Sequence, residues 1–179
     1  NLKDTVEALK NYNKAIELDN NFSFAYFTRG SYFQSQGNST AAIADFSKMI
    51  SLDPSDADAY VSRSECYSDT DNCELAIKDL EEAKKITPKD PGIYFQIGIC
   101  QDEIRYYREA IENFNKAILI DSTAGEYFYS RGNSFYNLEE LEMANHSHWE
   151  QQLSQMVFYK ERADELASKF LPLIKNADP

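Results

Sequence analysis

Few side chains in this sequence are of a type and spacing that could make or break bonds. The only histidines are His146 and His148, and the only cysteines are Cys66, Cys73 and Cys100. A catalytic Ser or Cys needs a base within hydrogen-bond reach, and no nucleophile turn stands near either histidine. Glu142, His146 and Glu150 fall at i, i+4 and i+8. One helix face would carry all three, which is a conceivable metal site. The same spacing describes an ordinary exposed polar face, and that is the expectation adopted. No Walker-type loop or G-x-G-x-x-G run offers a phosphate cradle. The cysteines are odd in number and form no C-x-x-C pair, which argues for unpaired thiols in a reducing compartment. Cys66 and Cys100 read as small packing residues. The expectation is a non-enzymatic chain with no cofactor and no metal.

Charge narrows the partners. Against 18 Lys and Arg stand 30 Asp and Glu, a net charge of −12. Nucleic acid and anionic membrane both demand clustered bases, so neither is an expected partner. No apolar run approaches the roughly 18 residues that span a bilayer. A hydrophobic content of 42% is enough for a core, and only 6 Gly and 5 Pro leave room for long helices.

The elements that would position any binding surface repeat along the chain. Ala8, Ala42, Ala76, Ala110 and Ala144 are each 34 residues apart. Tyr26, Tyr60, Tyr94 and Phe128 keep that step, as do Gly30, Ser64, Gly98 and Gly132. So do Tyr12, Phe46, Leu80 and Phe114, and Ala15, Met49, Ala83 and Ala117. Within a unit the period is helical: Tyr60, Ser64 and Tyr67 share one face of a first helix, and Ala76, Leu80 and Ala83 one face of a second. Gly37-Asn38 and Asp71-Asn72 supply the turn between helices. Pro54 and Pro88 stop the second helix. Arg29, Arg63 and Arg131 recur beside the small packing position and read as structural braces.

This order of aromatic, small, aromatic, small, aromatic, small and proline resembles the tetratricopeptide repeat (TPR) family. It stands as Tyr26, Gly30, Phe33, Ala42, Phe46, Met49 and Pro54, then as Tyr60, Ser64, Tyr67, Ala76, Leu80, Ala83 and Pro88. The third unit departs at Gln101 and Ser122, which is expected to loosen it slightly. The resemblance covers about residues 1–145 and implies an all-α fold, a right-handed superhelical solenoid of antiparallel helix pairs. About four and a half repeats are expected. The expected division is a truncated repeat's second helix over 1–22, repeats over 23–56, 57–90 and 91–124, a degenerate repeat over 125–158, and a capping helix with tail over 159–179. A start between two helices implies further repeats upstream. Because stacking supplies the core, loss of a buried aromatic such as Tyr60→Ala is expected to cost about 3–5 kcal/mol.

In that family the first helices line a concave groove that holds protein segments. The resemblance carries this role to Phe24, Phe27, Asp58, Val61, Glu65, Asp69, Phe95, Ile99, Asp102, Glu126, Tyr129 and Asn133. Phe27, Phe95 and Tyr129 are the hot-spot candidates. The implied partner is a peptide or helix with apolar and basic side chains. Co-chaperone members clamp a carboxylate-ended tail with Lys, Arg and Asn; here Phe27, Ser31, Ser62, Gly92 and Gln96 stand instead, so that ligand is not expected. The asparagine ladder of another branch is likewise replaced, by Thr28, Ser62, Gln96 and Ser130. The expected function is a cytoplasmic interaction scaffold. The alternatives are an architectural spacer that docks by its ends and convex face on neighbouring subunits of a large cytoskeletal or ciliary assembly, or a regulatory arm of a larger enzyme.

Overall fold

The computed structural model describes residues 2–143 and the single positions 154, 158 and 165. The chain divides into two compact units, residues 1–135 and 136–179. The first contains α1 (Leu2–Leu18), α2 (Ser23–Ser35), α3 (Ser39–Leu52), α4 (Ala57–Ser68), α5 (Cys73–Ile86), α6 (Pro91–Glu103) and α7 (Tyr107–Ile120). A helical stretch over residues 125–135 follows. In the second unit, residues 136–143 and the three single positions are helical. Among the described residues there is no strand. The second helix expected beyond residue 143, the capping segment over 159–179 apart from residue 165, and the Glu142–His146–Glu150 trio apart from Glu142 lie outside the described residues.

Successive helices pack on one another from α1 through α7, and α2 also touches α4. The fold is therefore an all-α helical repeat. α2–α3, α4–α5 and α6–α7 are the three pairs, each joined by the same tight turn. Its middle residue has positive φ at Gly37 (72°), Asp71 (57°) and Arg105 (65°), one repeat apart each time. The next amide reaches back five residues in every case: Asn38 N–H to Phe33 O at 2.9 Å, Asn72 to Tyr67 at 2.9 Å and Tyr106 to Gln101 at 2.8 Å. This is the Schellman ending, in which a left-handed residue lets the orphan carbonyls of the helix find donors. Gly accepts that conformation freely and Asp tolerates it, but Arg pays a left-handed cost of about 1–2 kcal/mol. Arg105→Gly should recover that cost less about 0.4–1 kcal/mol of added unfolded-state entropy. A small rise in the urea midpoint is the expected result, larger than that from Asp71→Gly.

The core follows the landmark series. Phe46, Leu80 and Phe114 are fully buried, with Ala42, Ala76, Ala83, Ala110 and Ala117 beside them. The small residues are needed where helices cross. A Cβ added at Gly30 would lie 2.8 Å from Phe46 Cε1, and one at Gly98 would lie 2.6 Å from Phe114 Cε1. The second repeat uses Ser64 with the smaller Leu80, both fully buried. Tyr60 is only partly buried. It packs on the cluster of Leu80, Ala83, Ile93 and Ile97, so its truncation costs less than the 3–5 kcal/mol range and the sensitive positions move to the second helices.

Candidate functional site

The first helices α2, α4 and α6 are held in place by side chains that cross the repeats. Arg29 donates from Nε and Nη2 to Asp45 at 2.8 and 2.6 Å, and from Nη1 to Asn13 at 2.7 Å. Arg63 does the same one repeat later, to Asp79 at 2.7 Å twice and to Ser47 at 2.9 Å. Each arginine thus ties a first helix to the second helix before it and the second helix after it. The aromatics Phe33 and Tyr67 carry the guanidinium planes, 6.0 and 5.9 Å from their ring centres. Arg131 keeps the backward arm alone among the described residues, to Asn115 at 2.7 Å.

The third repeat replaces this brace as a set. Ile97 stands at the arginine position and is fully buried. Asn113 stands for the aspartate, and its Nδ2 donates to Gln101 Oε1 at 2.8 Å and Glu109 O at 3.1 Å. Gln101 occupies the position of Phe33 and Tyr67. With no guanidinium to support, the aromatic gives way to an amide that satisfies Asn113. Gln101, one of the two departures expected to loosen this unit, thus gains a hydrogen-bond partner in Asn113.

Two hollows open on the surface that these braces present. The first, about 310 Å³, is lined by Ser23, Phe24, Phe27, Met49, Asp56 and Asp58. Phe24 is 66% exposed and stacks on Phe27 with 6.3 Å between ring centres; Phe27 rests in turn on Phe46 at 6.4 Å. Asp56 is committed to capping α4 through the Ala59 amide, while Asp58 is exposed. The second hollow, about 260 Å³, is lined by Glu65, Ser68, Asp69, Phe95, Gln96, Ile99 and Cys100. Phe95 is wedged between Phe114 and Tyr127, at 5.7 and 4.9 Å between ring centres. Neither lining includes a Lys or Arg.

The helix ends add little positive charge. α2, α4 and α6 carry no base in their last turns, whereas α5 carries Lys84 and Lys85. A helix C-terminus has a partial negative charge, which at α4 adds to that of Asp69; α1, α3 and α7 likewise lack a base in their last turn, and Arg105 follows the end of α6. The buried thiols are shifted chiefly by burial. Burial pushes the Cys66 thiol up to about 11, and Asp69 and Glu65 push in the same direction. Burial raises Cys100, and burial followed by the hydrogen bond to Glu103 raises Cys73. For Cys66, at a pKa of about 11, only roughly one thiol in a thousand is thiolate at pH 8, and burial shields the other two. Ellman's reagent at pH 8 should therefore react slowly with all three cysteines of the folded chain and rapidly in urea. Fast reaction of the folded chain would show an open, unperturbed thiol.

Of the groove residues carried over from the family, the hollows gather Phe24, Phe27 and Asp58 in one place and Glu65, Asp69, Phe95 and Ile99 in another. Val61 packs instead on the core cluster of Leu80, Ala83, Ile93 and Ile97. Asp102 accepts a short hydrogen bond from Ser134 Oγ. Glu126, Asn133 and Tyr129, the last 72% exposed, stand on the stretch 125–135 and line neither hollow. Sequence reasoning passed over Met49, Asp56 and Cys100 as lining. Met49 belongs to a second helix and Asp56 to the loop before α4, so a pattern confined to first helices omits both. Among the described residues no group of His, Cys, Asp and Glu is placed to hold a metal ion, and no helix is long and apolar enough to cross a membrane.

Comparison with known proteins follows the same three pairs. A tetratricopeptide repeat model matches residues 25–56, 57–90 and 91–123. No curated protein matches the sequence. Among solved structures, MamA is similar at a TM-score of 0.72 and 22% identity, covering 95% of this chain and 86% of that one. The Sgt2 TPR domain from Aspergillus fumigatus gives 0.63 at 20% identity, covering 68% of this chain and 82% of that chain. The first TPR of Spaghetti (RPAP3), solved bound to the HSP90 peptide SRMEEVD, gives 0.63 at 16% identity, with coverages of 65% and 93%. Identities at this level speak for a shared fold.

Proposed function

The chain belongs to the tetratricopeptide repeat family, and from that premise we propose that its first-helix face holds a partner's segment bearing apolar and basic side chains. The family makes it a protein–protein interaction scaffold. The observation that carries the finer reading is the pairing of each apolar floor with carboxylates and no base. Volumes of about 310 and 260 Å³ sit at the bottom of, or below, the roughly 300–1,000 Å³ of small-molecule pockets. They suit single side chains of a docked segment. Complementary charge would speed the encounter and set specificity.

The peptide SRMEEVD seen on the Spaghetti domain ends in acids. Here Glu65 and Asp69 line the second hollow and would repel such a tail, and the clamp positions hold Phe27, Ser31, Ser62, Gly92 and Gln96. Titration with that peptide should give no saturable binding. A reducing intracellular setting belongs to the same proposal, since Cys66, Cys73 and Cys100 are buried and unbridged.

Phe95 is a poor test residue because its ring also supports the core. Phe24 and Asp69 are exposed and safer. Phe24→Ser with Asp69→Lys should weaken co-purification of partner proteins by at least about tenfold, the loss of ~1.4 kcal/mol. Leu119→Ser, at an 86%-exposed site on α7, should leave it unchanged. The reverse pattern would favour an architectural spacer that docks through its second helices.

A further inference from the structure

We infer that the hollow between α4 and α6 is a receptor for one Lys or Arg side chain of an extended protein segment. Its methylene stem would lie on Phe95 and Ile99 and its charge beside Glu65 and Asp69. The inference rests on the protein-binding reading of the first-helix face and adds which chemical group enters which hollow.

Phe95 and Ile99 are four apart on α6, so they stack along one face of that helix and form a continuous apolar strip. Glu65 and Asp69 are four apart on α4 and its C-cap, opposite that strip. An apolar strip faced by two carboxylates matches the form of Lys and Arg, which bury their methylenes and keep their charge at the tip. A purely aliphatic side chain would strip water from the carboxylates without replacing it, which is costly. An acidic side chain would be repelled.

The carboxylate of Glu65 is also held in advance. Gln34 Nε2 on α2 donates to its Oε2 at 3.3 Å, and Gln96 Nε2 on α6 donates to its Oε1 at 3.4 Å. Both donors are neutral, so they fix position without cancelling charge. Gln96 does this at a cost, because its own Oε1 is buried and has no partner among the described residues. Turning the amide over would set that oxygen against the carboxylate. Glu65 therefore fixes which way Gln96 faces, and the two glutamines fix where Glu65 stands. Asp69 adds its charge at the end of α4, where the helix dipole has the same sign.

The hollow between α2 and α4 serves as the internal control. It has Phe24, Phe27 and Met49 as its floor; its Asp56 carboxylate is already engaged, and the exposed Asp58 is its one remaining carboxylate. It should favour an apolar side chain, with a weaker preference for Lys and Arg than the second hollow.

A phage-displayed library of random twelve-residue linear peptides, selected on the immobilised full chain, reads both preferences at once. The wild-type pool should be several-fold enriched in Lys and Arg and in large apolar residues over the unselected library. Glu65→Gln with Asp69→Asn should remove most of the Lys and Arg enrichment, down to what Asp58 sustains, and keep the apolar enrichment. Phe24→Ser should do the opposite. General attraction to a chain of net charge −12 is controlled by Glu74→Gln with Glu112→Gln, exposed positions on α5 and α7, which should keep the Lys and Arg enrichment. All of these positions are exposed, and unchanged helical circular dichroism confirms that each variant is folded. A pool that binds without Lys or Arg enrichment, or keeps that enrichment in the Glu65/Asp69 variant, overturns the inference and leaves the protein-binding groove standing. A selection that yields no specific peptide overturns both.

Discussion

Phe114→Ala should destabilise the chain by about 3–5 kcal/mol, the range for deleting a fully buried aromatic. The ring has no solvent exposure. It lies against the backbone of Gly98, so close that a Cβ there would sit 2.6 Å from Cε1, and it supports Phe95 at 5.7 Å. Removing it leaves a cavity flanked on one side by a residue with no side chain to fill it. Two rigid helices cannot close that gap without giving up contacts elsewhere. The loss should be local, because each repeat leans only on its neighbours. Amide exchange should accelerate in α6 and α7 before α2 and α3, and the urea midpoint should fall. Phe46→Ala, against Gly30, should give the mirror result at the other end of the array. A loss below about 1 kcal/mol in either variant would mean that the helices repack freely and that the glycine–phenylalanine crossing does not set their spacing.

Arg63→Ile should cost about 3 kcal/mol, near the low end for breaking a buried ion pair. The side chains of Arg63 and Asp79 are 19% and 6% exposed. Removing the arginine leaves Asp79 facing a poorly solvated interior, and it strands Ser47 Oγ, which accepts from Nη1. The chain contains its own answer to this problem. At the same register the third repeat has Ile97 and Asn113, with Gln101 where Tyr67 would be. The triple variant Arg63→Ile, Asp79→Asn, Tyr67→Gln should therefore recover most of the loss, with a coupling energy of about 1–3 kcal/mol relative to the separate changes. Thermal and urea unfolding measure it directly. Simple additivity would show that the two braces are unrelated solutions and that Gln101 supports nothing.

Much of this architecture could be read from the residues. The 34-residue step, the paired helices, the helix stops near Pro54 and Pro88 and the close crossings at Gly30 and Gly98 all followed from side-chain type and spacing. The arginine braces were also legible, because a charged residue that recurs beside a packing glycine has only a neighbouring helix to face. What escaped has common physical causes. Arg63 and Asp79 are 16 residues apart on different helices, so no helical period links them, and the exchange to Ile97, Asn113 and Gln101 reads as three unrelated departures. The positive φ at Arg105 is set by the turn it closes and leaves no mark in its side-chain type. Within the candidate site, Phe27 and Phe95 share one repeat position while Phe24 aligns with Asp58 and Gly92, and side-chain type alone makes the three rings look alike. Only packing separates the open ring of Phe24 from Phe95, which Phe114 and Tyr127 enclose. Val61, at the repeat position of Phe27 and Phe95, rests partly buried on the core cluster, and Met49 reached the first hollow from a helix that the family pattern assigns to the outside.

A working surface on α2, α4 and α6 has to be covered when a partner binds. Hydrogen–deuterium exchange, combined with cross-linking mass spectrometry on the complex with its endogenous partner, tests it most directly. The account predicts protection concentrated on α2, α4 and α6, with partner lysines or arginines cross-linked through Glu65 and Asp69. Protection confined to α3, α5 and α7, with α4 and α6 exchanging as in the free chain, would contradict it.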